Sequence, residues 1–310
     1  LTPSGPTDSA IVRIGSTAHT SFDNTCHGEF VGFTLNGRTG QADIGIDIGD
    51  SNATPKNVGA GYTIRKCFFT AFKYGFRYLN NIWLVKQDSN FYFQNNVDVV
   101  VTSNVNAGEN LNFSACVLGN ATEQSVLLKG GYGVGMSFTQ CSFDYALSGF
   151  LFDGSDQTVN CTDCHFEFDT STTYVRQTAG KTNNSFSISG GVYVNSAAGG
   201  TYSARIFDIG HTSDIDRPSV RGTRFVSINS GADNYAGART ATIPNGSSSV
   251  LVGYLIYCAA GSLPRITPLD PVPSGWYVVP SFDGTNPTPH YMQIKTNSTV
   301  TADTRFLIET

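Results

Sequence analysis

The chain is short of charge. Lys, Arg, Asp and Glu make up 14% of its 310 residues, against ~25% in an average soluble protein. The net charge is −5 and there is no basic run, which argues against a nucleic-acid partner held through phosphates. Long apolar stretches are lacking too. The longest, Val250 to Ala260, is about half the ~20 residues of a membrane-spanning helix, so no membrane insertion is expected. No segment sustains an apolar period of 3.6 residues, so helices should be rare. Glycine has no period of three, which excludes a collagen-like chain. No glycine-rich phosphate loop, dinucleotide fingerprint or His-Glu-x-x-His is present, and no cofactor or metal is expected. The chain opens on Leu1, without the basic and apolar regions of a signal peptide, and reads as a C-terminal fragment or a processed form.

What is abundant is apolar and aromatic residues, at 40% and 12%, together with 33 glycines. This composition excludes disorder by charge and points to an all-β chain of short strands and tight turns. The seven cysteines are an odd number. Cys161 and Cys164 form a CxxC without a second pair at zinc-like spacing or a βαβ context, so buried free thiols are the better reading.

Four of the cysteines mark a repeat. Ile64-Arg-Lys-Cys67-Phe-Phe69, Phe113-Ser-Ala-Cys116-Val-Leu118, Phe138-Thr-Gln-Cys141-Ser-Phe143 and Cys161-Thr-Asp-Cys164-His-Phe166 share one pattern of apolar residue, two variable residues, Cys, one variable residue and apolar residue. The cysteines step by 49, 25 and 23 residues, leaving room for one more coil near Asn90–Phe93. Phe30 to Leu35 is an earlier copy with Phe33 in the Cys place. Each copy is followed by a second apolar segment, such as Val97–Val101 or Gly149–Phe152, across Gly, Asn, Asp and Ser turns. A period of roughly 20–30 residues with two or three strands per turn is the mark of a β-solenoid. Stacked coils would make Cys67, Cys116, Cys141 and Cys164 one inward ladder, with Phe69, Leu118, Phe143 and Phe166 beside it.

Period-two alternation then orders the outward residues. Cys164, Phe166 and Phe168 should point inward, and Asp163, His165, Glu167 and Asp169 outward. One coil earlier, Cys141, Phe143 and Tyr145 should point inward, and Gln140, Ser142 and Asp144 outward. Asp144 and Glu167 would lie side by side, with His165 beside Ser142. Two carboxylates so placed suit glycoside hydrolysis, one as acid and one as nucleophile or base. Asp144, Glu167 and His165 are the candidate catalytic residues, and Asp163 and Gln140 candidate substrate contacts. Phe68 and Tyr92 are expected to point outward, for stacking on sugar rings or packing on a second subunit. Arg65, Lys66, Lys73 and Arg77 form a basic cluster. A second place for a site is the polar insertion at 49–61, near Asp47 and Asp50.

The coil pattern, with Gly28–Asn36 (GEFVGFTLN), resembles the pectate-lyase-type right-handed parallel β-helix. Ala241–Val250 (ATIPNGSSSV) and Val300–Phe306 (VTADTRF) resemble the C-terminal β-domain of bacteriophage tailspikes and tail-fibre depolymerases. The resemblance implies a homotrimer in the extracellular virion tail that binds, and often cleaves, a bacterial surface polysaccharide such as a capsule or O-antigen. It would join the phage tail or baseplate through an N-terminal region missing here. Three readings stay open: a glycanase, a polysaccharide lyase, and a non-catalytic receptor-binding fibre module. Residues 1–27 are expected to form an irregular lead-in, 28–210 the parallel β-helix, and 219–310 a C-terminal antiparallel β-sandwich serving as trimer clamp.

Overall fold

The computed structural model of the chain describes residues 9–14, 23–37, 43–50, 57–102, 107–130, 133–168, 174–195, 217–221, 223–227, 233–235, 239–253, 265–272, 275–281 and 291–309. Among them there is no helix. The chain winds through three sheets in turn, laying one short strand on each per coil. Sheet A has seven strands, among them Tyr74–Tyr78, Val97–Val101 and Ser148–Phe152. Sheet B has ten strands, including Asn57–Arg65, Leu111–Ser114 and Thr158–Thr162. Sheet C has nine, including Phe68–Thr70, Phe91–Phe93, Val117–Gly119, Ser142–Asp144 and His165–Phe168. Successive coils pair in parallel, so the architecture is a parallel β-solenoid.

The inward ladders form as the repeat predicts. Phe69, Leu118, Phe143 and Phe166 are buried in register, and the Phe143 and Phe166 rings stack at 5.1 Å with 5° between planes. Cys67, Cys116, Cys141 and Cys164 are buried and free, and so is Cys161. Each ladder thiol lies within 3.5 Å of the carbonyl two residues before it. Cys161 belongs to the next ladder, between Phe138 and Ile188, where burial pushes its thiol pKa up. Thiol reagents should therefore label these cysteines slowly in the native protein and rapidly in denaturant. Fast native labelling of two or more would reject the inward ladder.

The 49-residue gap in the cysteine series holds one coil whose Cys place is taken by Asn90. Asn90 is buried. Its Oδ1 accepts the Cys67 N–H at 2.9 Å, and its Nδ2 donates to the Ile64 carbonyl at 2.9 Å and to Gln87 Oε1 at 2.6 Å. Gln87 also accepts from the Tyr92 hydroxyl at 2.7 Å and donates to the Tyr78 oxygen at 3.0 Å. This corrects the expected direction of Tyr92. With Asn90 as the rung, Tyr92 falls level with Phe69, is fully buried and stacks on the Phe69 ring at 4.7 Å. Phe91 and Phe93 are the residues that face out. An Asn90→Ala chain would strand the Cys67 N–H, the Ile64 carbonyl and Gln87 in the core. We expect a loss of about 3 kcal/mol or more in denaturant unfolding; a loss under about 0.5 kcal/mol would contradict the network.

The corners explain a second difference. The residue before each rung (Lys66, Ser89, Ala115, Gln140, Asp163) has a positive φ, between 50° and 54°. So does the residue after four consecutive sheet C strands (Ala71, Gln94, Asn120, Tyr145), between 54° and 60°. Apart from Ala71, these left-handed residues turn the chain and aim the N–H at the next coil, as Gln140 N–H does to the Thr162 carbonyl at 2.9 Å and Tyr145 N–H to the Glu167 carbonyl at 2.7 Å. Alternation stops at such a corner. Tyr145, expected inward, is 43% exposed.

The coils also extend further than the repeat shows. Ala10–Ile14 pairs in parallel with Ile44–Ile48, and Asp23–Val31 with Asn57–Arg65, so the expected irregular lead-in already carries solenoid strands. Parallel stacking continues to Arg217–Arg221 and Arg224–Ser227. Beyond these lie two three-stranded antiparallel sheets, Arg239–Ile243 with Thr304–Glu309 and Arg265–Pro268, and Ser249–Gly253 with Tyr291–Thr296 and Trp276–Ser281. Ile243, Ile294 and Phe306 form their shared apolar cluster.

Sheet A also buries an acid that no arginine pairs, Asp98. Asp98 is fully buried, and its Oδ1 accepts from Asn95 at 2.9 Å. Burial raises its pKa well above the usual carboxyl value, against the lowering effect of that hydrogen bond. The folded state thus holds the proton more tightly than the unfolded chain. Stability is full below the unfolded carboxyl pKa of ~3.9 and declines as pH rises toward the folded value. Asp98→Asn, which keeps shape and neutrality, is expected to raise Tm at neutral pH and flatten the pH dependence above about pH 4. An unchanged slope would place the titration elsewhere.

Candidate functional site

The outward face of sheet C carries the site. Ser142 pairs with His165, and Asp144 with Glu167, so residues 23 apart in sequence become strand neighbours. This is the juxtaposition expected from the repeat. Asp144 Oδ1 accepts from the Ser142 hydroxyl at 2.8 Å. Glu167 Oε1 accepts from the Tyr145 hydroxyl at 2.6 Å. His165 Nε2 lies 3.4 Å from Glu167 Oε2 and 4.0 Å from Asp144 Oδ1. The Asp144 and Glu167 side chains are 26% and 20% exposed, and His165 is more open at 41%.

The two carboxyls have different surroundings. Burial raises the pKa of Asp144, and the charge of Glu167 adds to the rise; the Ser142 hydroxyl and His165 act in the opposite direction. Glu167 instead has two groups holding its charge, a phenol and an imidazole. The Asp144 carboxyl is therefore biased toward its protonated form.

One ligand atom from each of Asp144, His165 and Glu167 lies within 4.8 Å of the others, so the trio could also hold a divalent cation. The two carboxylates and one imidazole suit a borderline metal such as zinc or manganese. The repeat places the three side by side, and the spacing of their ligand atoms is set by how the side chains turn on the stacked strands.

The other expected residues divide. Gln140 and Asp163 are exposed at successive corners, beside the strands that carry the carboxylates. Asp169 lies outside the described residues, as does the side chain of Phe168. Phe68 faces out as expected, its ring 5.3 Å from that of Phe91. Tyr92 belongs to the core and takes no part. Phe91, 38% exposed, and Phe93 replace it, their rings 5.8 Å apart. Aligning Asn90 with the cysteines would have revealed this, since 23 residues separate Cys67 from Asn90 as they separate Cys141 from Cys164. Tyr145 had no such signal, because its direction depends on the corner dihedral.

The second place for a site is structural where it is described. Asp47 is fully buried between Arg13 at 3.1 Å and Arg77 at 2.9 Å. Asp50 is buried and bridges Asn80 through main-chain bonds of 3.0 and 3.1 Å. Residues 51–56 of that insertion lie outside the described set. The basic cluster is dispersed likewise: Arg65 pairs with Glu29 at 2.6 Å, Arg77 with Asp47, and Lys73 sits 5.2 Å from the centre of the Tyr74 ring.

No family model matches the chain, and no curated protein matches it. Among solved structures it is similar to the tailspike protein gp49 from Pseudomonas phage LKA1, at 12% sequence identity and a TM-score of 0.27, over 90% of this chain and 65% of that one.

Proposed function

We propose that the chain is a tailspike-like polysaccharide depolymerase that binds a bacterial surface polysaccharide on sheet C and hydrolyses a glycosidic bond. The observation that carries this reading is the Asp144–Glu167 pair, two carboxyls on adjacent strands with unequal surroundings. Their close approach, with ligand atoms within 4.8 Å, fits the short separation of ~5–5.5 Å in retaining glycosidases better than the ~6.5–9.5 Å of inverting ones. In this scheme Asp144 delivers its proton to the glycosidic oxygen while Glu167 attacks the anomeric carbon. The leaving sugar departs as an alcohol, and a glycosyl ester remains on Glu167. Asp144, now a carboxylate, takes a proton from water as the water attacks the anomeric carbon and displaces the Glu167 carboxylate. Both carboxyls return to their starting states. His165 and Tyr145 hold Glu167 in place and support its charge.

The same reading takes the solenoid as right-handed, the two C-terminal antiparallel sheets as a sandwich, and the assembly as a homotrimer in the virion tail. A second reading, binding without cleavage, is supported by the exposed Phe91 ring, which serves recognition either way.

Asp144→Asn and Glu167→Gln should each lower turnover by ~10²-fold or more while leaving folding and polysaccharide binding intact. Tyr145→Phe should cost roughly tenfold, since one charge-supporting hydrogen bond is lost. Activity should fall as pH rises through the raised Asp144 pKa, because the acid must start protonated. Proton NMR of the first product should show retained anomeric configuration. Full turnover in both amide variants would discard the site, and mass spectra lacking an added water would discard hydrolysis.

A further inference from the structure

The outward face of sheet C sets a length as well as a chemistry. Its strands at Phe91–Phe93, Val117–Gly119 and Ser142–Asp144 are short, and each offers two outward positions before a left-handed corner turns the chain away. The face is therefore a narrow track, long only in the stacking direction. One column of the track runs Phe91, Val117, Ser142, His165, and the other Phe93, Gly119, Asp144, Glu167. Aromatic rings stand at one end and the carboxyls at the other. The Phe91 and Glu167 strands are three spacings apart, or roughly 14 Å, a length that holds about three sugar units.

The aromatic end is a platform. Phe91 is 38% exposed, with the half-buried Phe68 and Phe93 rings 5.3 and 5.8 Å from it. The interior does not use these rings, because Phe69 and Tyr92 fill it from the opposite face of the same strands. A flat apolar surface of this kind suits the apolar face of a pyranose. Between the platform and the carboxyls the floor is low. Val117 is half-buried, and Gly119 carries no side chain. Neither backbone nor packing demands that glycine. Its φ is not left-handed, and a Cβ there would meet only ordinary contacts, 3.6 Å to Phe93 Cδ2 and 3.8 Å to the Asp144 carbonyl. What the missing side chain keeps open is the passage from the Phe93 ring to Asp144.

We propose that Phe91, with Phe68 and Phe93, forms a distal sugar subsite, and that efficient cleavage needs a glycan reaching it from the cut bond, about three units on that side. The inference rests on the hydrolase reading above and fixes the length of its substrate. Binding energy gained at the distal ring is used at the scissile bond, so a fragment that falls short loses turnover as well as affinity.

The test uses a polymer that the chain depolymerises, selected from capsular and O-chain polysaccharides purified from a bacterial strain panel. Partial acid hydrolysis gives fragments of graded length, and kcat/KM is measured against length. The wild-type chain should show a step of about tenfold between fragments that stop short of Phe91 and fragments that reach it. Phe91→Ala should remove the step. Gly119→Val, which fills the passage and keeps every ring, should remove it too. Both variants should melt and sediment as the wild-type chain does, and Phe91→Ala decides alone if Gly119→Val melts early. No step in the wild-type chain, or a step that survives Phe91→Ala, overturns the inference and leaves the hydrolase reading standing. A step that survives in a folded Gly119→Val chain overturns the path along sheet C. A Phe91→Ala chain that keeps the step but sediments as a smaller particle assigns the rings to a subunit contact and overturns the subsite. If no polymer in the panel is cut, the hydrolase reading itself falls and takes this inference with it.

Discussion

Everything in the solenoid hangs on the hydrogen-bond ladder between successive coils. In a parallel sheet each strand must sit ~4.8 Å from the next, with evenly spaced bonds along its length. That spacing turns residues 23 to 26 apart in sequence into direct neighbours. It makes the interior a set of columns, each demanding similar size and polarity along its length. The stacked Phe143 and Phe166 rings and the row of buried thiols are consequences of this demand. So is the pairing of Asp144 with Glu167, because the same ladder orders the outer face.

The corners are the second requirement. A coil with three strands must turn sharply three times, and here non-glycine residues adopt left-handed conformations at recurring places. Each such residue carries strain of order 1 kcal/mol or more. The strain is offset by the N–H it directs to the next coil, and by buried asparagines that bind main-chain groups at the bends. Asn90, Asn95 and Asn184 each accept a backbone N–H and donate to a backbone carbonyl of a neighbouring coil. A chain poor in charge can bury these amides because all of their polar atoms have partners. The acids it does keep inside, Asp47 between two arginines and Asp98 beside Asn95, follow the same rule by pairing or by holding a proton.

The site draws on both devices. The ladder brings the two carboxyls and the imidazole together, and the corner swings Tyr145 out of the core to reach Glu167. Partial burial then gives Asp144 its raised pKa, while the Tyr145 hydroxyl and the His165 imidazole hold Glu167 in place. The aromatic rings upstream belong to the same sheet, so recognition and chemistry share one rigid surface.

The repeated cysteine pattern by itself determined the solenoid, the inward columns and the adjacency of Asp144, His165 and Glu167, because stacking is periodic and a period can be counted along a chain. It also determined the outward direction of Phe68. Where one rung is polar the count is lost: Asn90 does not resemble a cysteine, so the pattern turns Tyr92 outward when it lies in the core. Only the tertiary structure decided the rest. Tyr145 turns outward because its φ is positive, and no periodicity encodes a single dihedral. The strands at Ala10–Ile14 and Asp23–Val31 join the solenoid through pairing with later coils rather than through a repeat of their own. The inequality of the two carboxyls follows from burial and from partners contributed by different coils, which are distances in space and leave no mark in residue order.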